Sequence, residues 1–368
     1  MNADDEHGAS DRRREEGTSV VVVNWNGAEP LAACLDSVFA SEPPPREVIV
    51  VDNGSTDGSR EMVRERYRDV VLLELPDNPG PAAARNLGLR VARCGRVLTL
   101  DNDVVLATGT IATMNRALDE SGAVAAQARS LVASDPATIH YDGGALHFAG
   151  LIALRHFFEP LESADRGESG WLEVGAFVSL CILQDADDVL ALGGYDEDLE
   201  ILFEDTDLSF RLRAAGRRLV LTTDDPILHG SGTAGTSFRD TAYPRRRVFL
   251  HSRNRWWYLA KNHRAWTLLL SSPGLLVYEL WWFAFALSKG HVGAWCAGKL
   301  AFLRRLPTVL ARRHAIQRAR RVPDRELLVG GPLTLSPQLR AKPWSRRMAT
   351  VLDRCLRTWW AIVRPLVV

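Results

Sequence analysis

Four short apolar runs fall within the first 105 residues, at 20–23, 48–51, 70–73 and 97–100, and they end at Asn24, Asp52, Glu74 and Asp101. Helix-length stretches follow them, at 30–40, 58–67, 81–92 and 109–120, and Asn53-Gly54-Ser55 and Asn78-Pro79-Gly80 supply turn chemistry before two of these. A run that is apolar throughout, rather than alternating, belongs to a strand covered by helices on both faces. Repeated strand–helix units of this kind build a parallel sheet whose strand carboxyl ends share one edge, where ligands bind. Asn24, Asp52, Asp101 and Asp103 are therefore expected around one mouth, although they are far apart in sequence. Carboxylates as close together as Asp101 and Asp103 suit a divalent cation, and a cation there suits a diphosphate.

Beyond this unit the pattern becomes shorter and richer in glycine. A fifth strand is expected at 123–126, with further strands at 143–154, 171–183 and 218–222. Short helices are expected at 185–192, closed by Gly193-Gly194, and at 204–215, stopped by Gly216. The first 17 residues are charged, lack the apolar core of a secretory signal, and read as a disordered tail. The cysteines (Cys34, Cys94, Cys181, Cys296 and Cys355) are odd in number and contain no CxxC pair. That argues against a disulfide framework or a zinc site and for a reducing compartment.

The formal net charge of zero hides a division. Residues 1–238 carry 20 Lys+Arg against 40 Asp+Glu, and residues 239–368 carry 25 against 5. The basic part interleaves its charges with Trp, Leu and Phe, which fits an anionic membrane surface better than nucleic acid. Its most apolar stretch, residues 266–287, has the length of a bilayer core, about 33 Å as a helix. Pro273-Gly274 interrupts that stretch and Glu279 lies inside it, while Trp281, Trp282 and Trp295 with Lys289, Lys299, Arg304 and Arg305 suit the headgroup level. An in-plane or re-entrant helix is the expectation here, with a single span and a soluble helical cap as the alternatives.

Several strings together carry a family resemblance. They are Val20–Val23 with Asn24-Trp25-Asn26-Gly27; Val50-Val51-Asp52-Asn53-Gly54-Ser55; Asn78–Gly80 with Ala84-Arg85-Asn86; and residues 98–103. Gly193-Gly194-Tyr195-Asp196-Glu197 and Phe203-Glu204-Asp205-Thr206-Asp207-Leu208 complete the set. In this order and spacing, over residues 18–235, the chain resembles glycosyltransferase family 2, and its Asn-Trp-Asn-Gly variant is similar to rhamnosyltransferase-like members.

The resemblance implies an α/β GT-A fold, Rossmann-like, with a mostly parallel sheet flanked by helices, over residues 18–242. Residues 243–368 would form a helical, membrane-associating extension. It also implies an inverting, metal-dependent transfer of one sugar from a nucleotide-sugar, dTDP-rhamnose or a UDP-sugar, to a lipid-linked or cell-surface glycan. In this reading the enzyme acts at the cytoplasmic face of the membrane, in cell-wall or polysaccharide synthesis, and binds no nucleic acid.

The resemblance also assigns roles to residues. Asp52 would contact the nucleotide base, with Asn24 and Asn26 beside it and Arg85 helping to fix the donor. Asp101 would face the ribose, and Asp101, Asp103 and His229 would hold Mg2+ or Mn2+. Asp205 would be the general base, with Glu204 the second choice and Asp207 holding the start of the helix. A flap over the donor would lie at 232–235. Trp171 and Glu173 would open the acceptor-side strand, where they could contact a sugar, with core packing the expected role of Trp171. Each residue alone has a plainer reading: an Asx turn for Asp52, loop chemistry for Asp101-Asn102-Asp103, helix-dipole complementation for 204–207, and a structural loop histidine for His229.

Processive relatives carry QxxRW, whereas here Ser252 precedes Arg255-Trp256 in place of the glutamine. That departure argues for single addition. A catalytically inactive nucleotide-binding scaffold and a sugar-phosphate nucleotidyltransferase are the competing functions.

Overall fold

The computed structural model describes residues 14–230, 243–334 and 343–368. Strands β1 (Glu15–Asn24), β2 (Glu47–Asp52), β3 (Val71–Glu74) and β4 (Cys94–Asp101) pair in parallel in the order β3-β2-β1-β4. Helices α1 (Ala28–Phe39), α2 (Ser59–Arg66) and α3 (Pro81–Val91) connect them. Val20 and Val22 join Leu31 and Leu35 of α1 in one apolar cluster, while Val21 and Val23 join Ala82 and Leu89 of α3 in another. Both faces of β1 are thus dry, which is why its run does not alternate. Helix α3 approaches closely because residue 88 is glycine: a Cβ there would come within 2.3 Å of Val21 Cγ1.

The sheet continues past the point where the sequence suggested closure. After β5 (Val104–Val105) and α4 (Thr110–Ser121) come β6 (Ala125–Val132) and β7 (Asp135–Tyr141), which pair with each other. The expected strand 143–154 is instead a hairpin, β8 (Gly144–His147) and β9 (Leu151–Leu154). The expected strand 171–183 is likewise two strands, β10 (Trp171–Val174) and β11 (Cys181–Asp185). The reason is their pairing: β11 runs antiparallel between β4 and β6, whereas β10 pairs at the edge with β12 (Leu219–His229). Strand β12 also runs parallel to β6, and its His229 lies opposite Val104 of β5. Helices α5 (Ala186–Ala191) and α6 (Glu204–Ala214) fall where the sequence indicated.

The end of the expected tail is ordered. Glu15 donates its backbone N–H to Arg93 O at 2.9 Å, and Arg14 bonds Ala92 O at 2.7 Å and Asp187 at 2.8 Å. These bonds extend β1 into residues 15–17. Residues 1–13 and the flap expected at 232–235 lie outside the described residues.

The remainder is helical: α7 (Arg245–Asn262), α8 (Ala265–Ser288), α9 (Val292–Ala319), α10 (Asp324–Leu327) and α11 (Pro343–Val363). A short β13 (Leu328–Val329) pairs with β8. Phe148, Phe210, Tyr258, Trp282 and Trp360 share one apolar cluster, so these helices pack on the α/β unit.

Pro273-Gly274 does not interrupt α8. A proline removes the hydrogen bond to the carbonyl four residues back, but here Ser272 Oγ donates to Leu269 O at 2.7 Å. Trp359 Nε1 donates to the next carbonyl, Leu270 O, at 3.0 Å. Gly274 faces Phe148, which a Cβ would meet at 2.9 Å, so the glycine serves close packing rather than a break. Glu279 points inward, paired with Arg255 at 2.8 Å and Lys299 at 2.6 Å and accepting from Trp256 and Trp295.

Candidate active site

The carboxyl ends of β1, β2 and β4 bring Asn24, Asp52 and Asp101 to one edge, as the apolar runs require. Asn24 Nδ2 donates to Asp52 Oδ2 at 2.8 Å, and Asn102 Nδ2 donates to Asn24 Oδ1 at 2.7 Å. Asp52 Oδ1 accepts from Ser55 N at 2.9 Å and from Arg60 Nε at 2.6 Å. Burial alone would raise the Asp52 pKa, but the hydrogen bonds from Ser55, Arg60 and Asn24 outweigh it and hold the carboxyl below its ordinary value. Asp52 thus braces the turn at the strand end through the Ser55 N–H and forms an ion pair that the sequence did not announce. Asn26, at φ +49°, accepts from Thr56 N at 2.7 Å, so its side chain braces the same turn.

Asp101, Asp103 and His229 converge, with their ligand atoms within 4.8 Å of one another. His229 Nε2 lies 3.2 Å from Asp103 Oδ1, and Gly230 N donates to Asp103 O at 2.8 Å. Burial pushes the Asp101 pKa up and Asp103 adds to the push, against Arg85 and His229. Paired carboxylates with an imidazole fit a hard divalent cation.

A second histidine stands behind the first. Nδ1 of His140 lies 2.7 Å from Nδ1 of His229, and the His140 ring is held among Tyr141, Phe157 and Phe158. If Nδ1 of His229 is the donor in this contact, its Nε2 is left free for a metal. His140 arrives on β7, a strand for which the sequence carried no signal, and so it was missed.

The third element is Arg85 on α3, buried between two acidic groups. Its guanidinium donates to Asp101 at 2.6 Å and to Glu204 at 3.4 Å, and it lies over the Tyr195 ring. Asn86 Nδ2 donates to Tyr195 O, and Asn86 Oδ1 accepts from Tyr195 N, both at 2.8 Å. This two-way pairing ties Ala84-Arg85-Asn86 to Gly193-Gly194-Tyr195. Burial and the neighbouring Asp205 raise the Glu204 pKa to about 8, against the pull of Arg85. Burial also raises the Asp205 pKa, opposed by hydrogen bonds from Thr206 and by Arg85. Glu204 is buried, whereas Asp205 is half-buried.

Asp207 and Glu173 do other work, while Trp171 packs against the core as expected. Asp207 does not hold the helix start; it is fully buried and binds Arg211, Lys261 and Asn262, tying α6 to α7. Trp171 donates to Glu120 at 3.1 Å, and Glu173 pairs with Arg213 and Arg218. Ser252, at the place of the missing glutamine, accepts from Trp282 Nε1 at 2.9 Å. A Cβ on Gly298 of α9 would fall 2.8 Å from Ser252 Cβ, so α7 and α9 approach closely at this position.

Residues 19–163 match the family model described as Glycosyl transferase family 2. The chain is 27% identical over 272 residues to the N-acetylglucosaminyl-diphospho-decaprenol L-rhamnosyltransferase of Mycobacterium tuberculosis, covering 67% of this chain and 85% of that protein. It is 32% identical over 99 residues to the poly-beta-1,6-N-acetyl-D-glucosamine synthase of Staphylococcus epidermidis, a match to 26% of this chain that spans only 24% of the synthase. Among solved structures, GalNAc-T7 with UDP, GalNAc and Mn2+ aligns with a TM-score of 0.51 and 17% identity. That alignment covers 67% of this chain and 50% of the other, and it shows a shared GT-A fold.

Proposed function

The chain carries a glycosyltransferase family 2 domain, and from that premise we propose that it moves one sugar from a nucleotide-sugar to a lipid-linked glycan, with inversion. The observation that carries the reading is the connection of Asp101, through Arg85, to the Glu204–Asp205 pair. It ties the residues suited to a diphosphate to those suited to a proton.

In this account Asp101, Asp103 and His229 hold Mg2+ or Mn2+, which supplies positive charge against the departing nucleoside diphosphate. Asp52, Asn24 and Asn26 form the nucleotide end, and a base that reaches Asp52 exchanges places with Arg60. Arg85 is fixed by burial and orients Asp101. The acceptor hydroxyl attacks the anomeric carbon, its proton passes to the Asp205 carboxylate, and the glycosidic electron pair leaves on the diphosphate oxygen. Asp205 suits the task better than Glu204 because it is the more exposed of the two. The rhamnosyltransferase similarity supports dTDP-rhamnose as donor and an N-acetylglucosaminyl-diphospho-lipid as acceptor; UDP-sugars are the next donors to test.

The acceptor class calls for a membrane, and the helical region supports peripheral attachment, in this reading at the cytoplasmic face. Leu269, Leu276, Leu280 and Leu287 are exposed along one side of α8, and Trp344, Met348, Val351 and Ile362 are exposed on α11. The opposite side of α8 is bound to the protein through Tyr278, Glu279 and Trp282. A helix fixed along one side and apolar along the other lies in the interface rather than across the bilayer.

The test is Asp205→Asn with dTDP-rhamnose, then UDP-N-acetylglucosamine, and N-acetylglucosaminyl-diphospho-polyprenol as acceptor. Turnover should fall by at least about 100-fold with nucleotide affinity unchanged. Full turnover in the variant removes Asp205 as base, and no turnover in the parent with any donor favours the scaffold.

A further inference from the structure

The chain leading into Glu204 and Asp205 adopts an unfavourable backbone. Glu200, Leu202 and Phe203 have φ values of +61°, +71° and +75°, in the region that side-chain-bearing residues avoid. Such conformations persist only where the surroundings over-determine them. Here the surroundings come from α7, in the other half of the chain.

Asn254 of α7 is fully buried, and its Nδ2 faces three carbonyls of this segment: Leu199 O at 2.8 Å, Ile201 O at 3.1 Å and Leu202 O at 2.8 Å. Its Oδ1 accepts from Arg253 Nε at 2.7 Å, which fixes the direction of the amide. The same Arg253 reaches Glu200 Oε1 at 2.7 Å and Asp198 O at 3.1 Å. Phe203 packs edge-on against His251, one turn before Asn254. On the other side, the Glu200 backbone lies against Gly80 at the entrance to α3, where a Cβ would meet Glu200 O at 2.7 Å. The segment is therefore held between α7 and the helix that carries Arg85.

We propose that Asn254, oriented by Arg253, is a positioning residue for Asp205: it holds residues 199–203 in the one backbone path that presents the Asp205 carboxylate to the acceptor. The inference rests on Asp205 being the base. It makes α7 part of the catalytic apparatus, in addition to its role as a packing surface for α8 and α9.

The test compares Asn254→Ala, the isosteric Asn254→Asp, and Asn262→Ala. The last removes an equally buried amide on the same helix, bonded to Asp207 at 2.7 Å and away from the segment. With dTDP-rhamnose or UDP-N-acetylglucosamine, whichever the parent uses, Asn254→Ala should lower kcat on the order of 100-fold. Donor KM and the affinity for the corresponding nucleoside diphosphate with Mn2+ should stay within about twofold. Asn254→Asp should be at least as impaired, because a carboxylate offers no donor to three carbonyl oxygens. Asn262→Ala should lose thermal stability without a selective loss of kcat.

Hydrogen exchange supplies a readout independent of turnover: amides at 200–206 should exchange faster in Asn254→Ala and not in Asn262→Ala. Unchanged protection, or a kcat loss no larger than that of Asn262→Ala, overturns the positioning role. Asp205→Asn in the same assays separates the two claims, since an active Asp205→Asn removes the base while leaving the exchange result standing.

Discussion

At Asp52 the strand-end carboxylate accepts hydrogen bonds from Ser55, Arg60 and Asn24. Its position was legible because an apolar run must stop where the chain leaves the sheet; its ion pair was not, because Arg60 reaches it from the first turn of α2. His140 shows the same limit more sharply. Nothing in its neighbourhood marks a strand, yet β7 brings it behind His229. Its proposed role is to fix the His229 tautomer that leaves Nε2 to a metal. His140→Phe keeps the ring stacking but removes that partner. Mn2+ affinity, measured by calorimetry with UDP or dTDP, is expected to weaken by about 10- to 100-fold with little change in Tm. Unchanged affinity would reduce His140 to a packing residue.

At the scale of elements, β1 to β4 could be read directly from their apolar runs because both faces are covered. β10 and β11 could not be separated, since their boundary depends on partners far along the chain. The misjudged interruption of α8 has a different origin. Proline carries a local cost, but Ser272 within the helix and Trp359 of α11 engage the carbonyls around it, and the Trp359 contact is tertiary. The unbroken helix leads to a prediction for its exposed side. The double variant Leu276→Glu, Leu280→Glu should fold and bind nucleotide as the parent does, but lose co-flotation with vesicles containing anionic phospholipid. If the variant still floats, another surface carries the attachment. If it becomes monomeric where the parent is dimeric, the stripe is a contact between copies.

For the whole molecule, the opposed charges of the two halves acquire a meaning that composition alone did not supply. Part of the basic half faces the acidic half: Lys261 and Arg312 pair with Asp196, Arg253 with Glu200, and Lys261 with Asp207. The helical region is therefore bonded to the residues around Glu204 and Asp205, and the division read as a membrane signal is partly an internal seam. Among the described residues, exposed Lys289 and Arg304 and, on α11, Arg346, Arg347 and Arg354 remain available to face lipid.

The central claim is that the sheet edge binds a nucleoside diphosphate together with a cation held by Asp101, Asp103 and His229. Calorimetric titration of UDP, dTDP and GDP into the purified protein, with and without Mn2+, tests it most directly. The account predicts that one nucleotide binds only when Mn2+ is present and that Asp103→Ala abolishes this binding. Metal-independent binding of every nucleotide, or none at all, would contradict it.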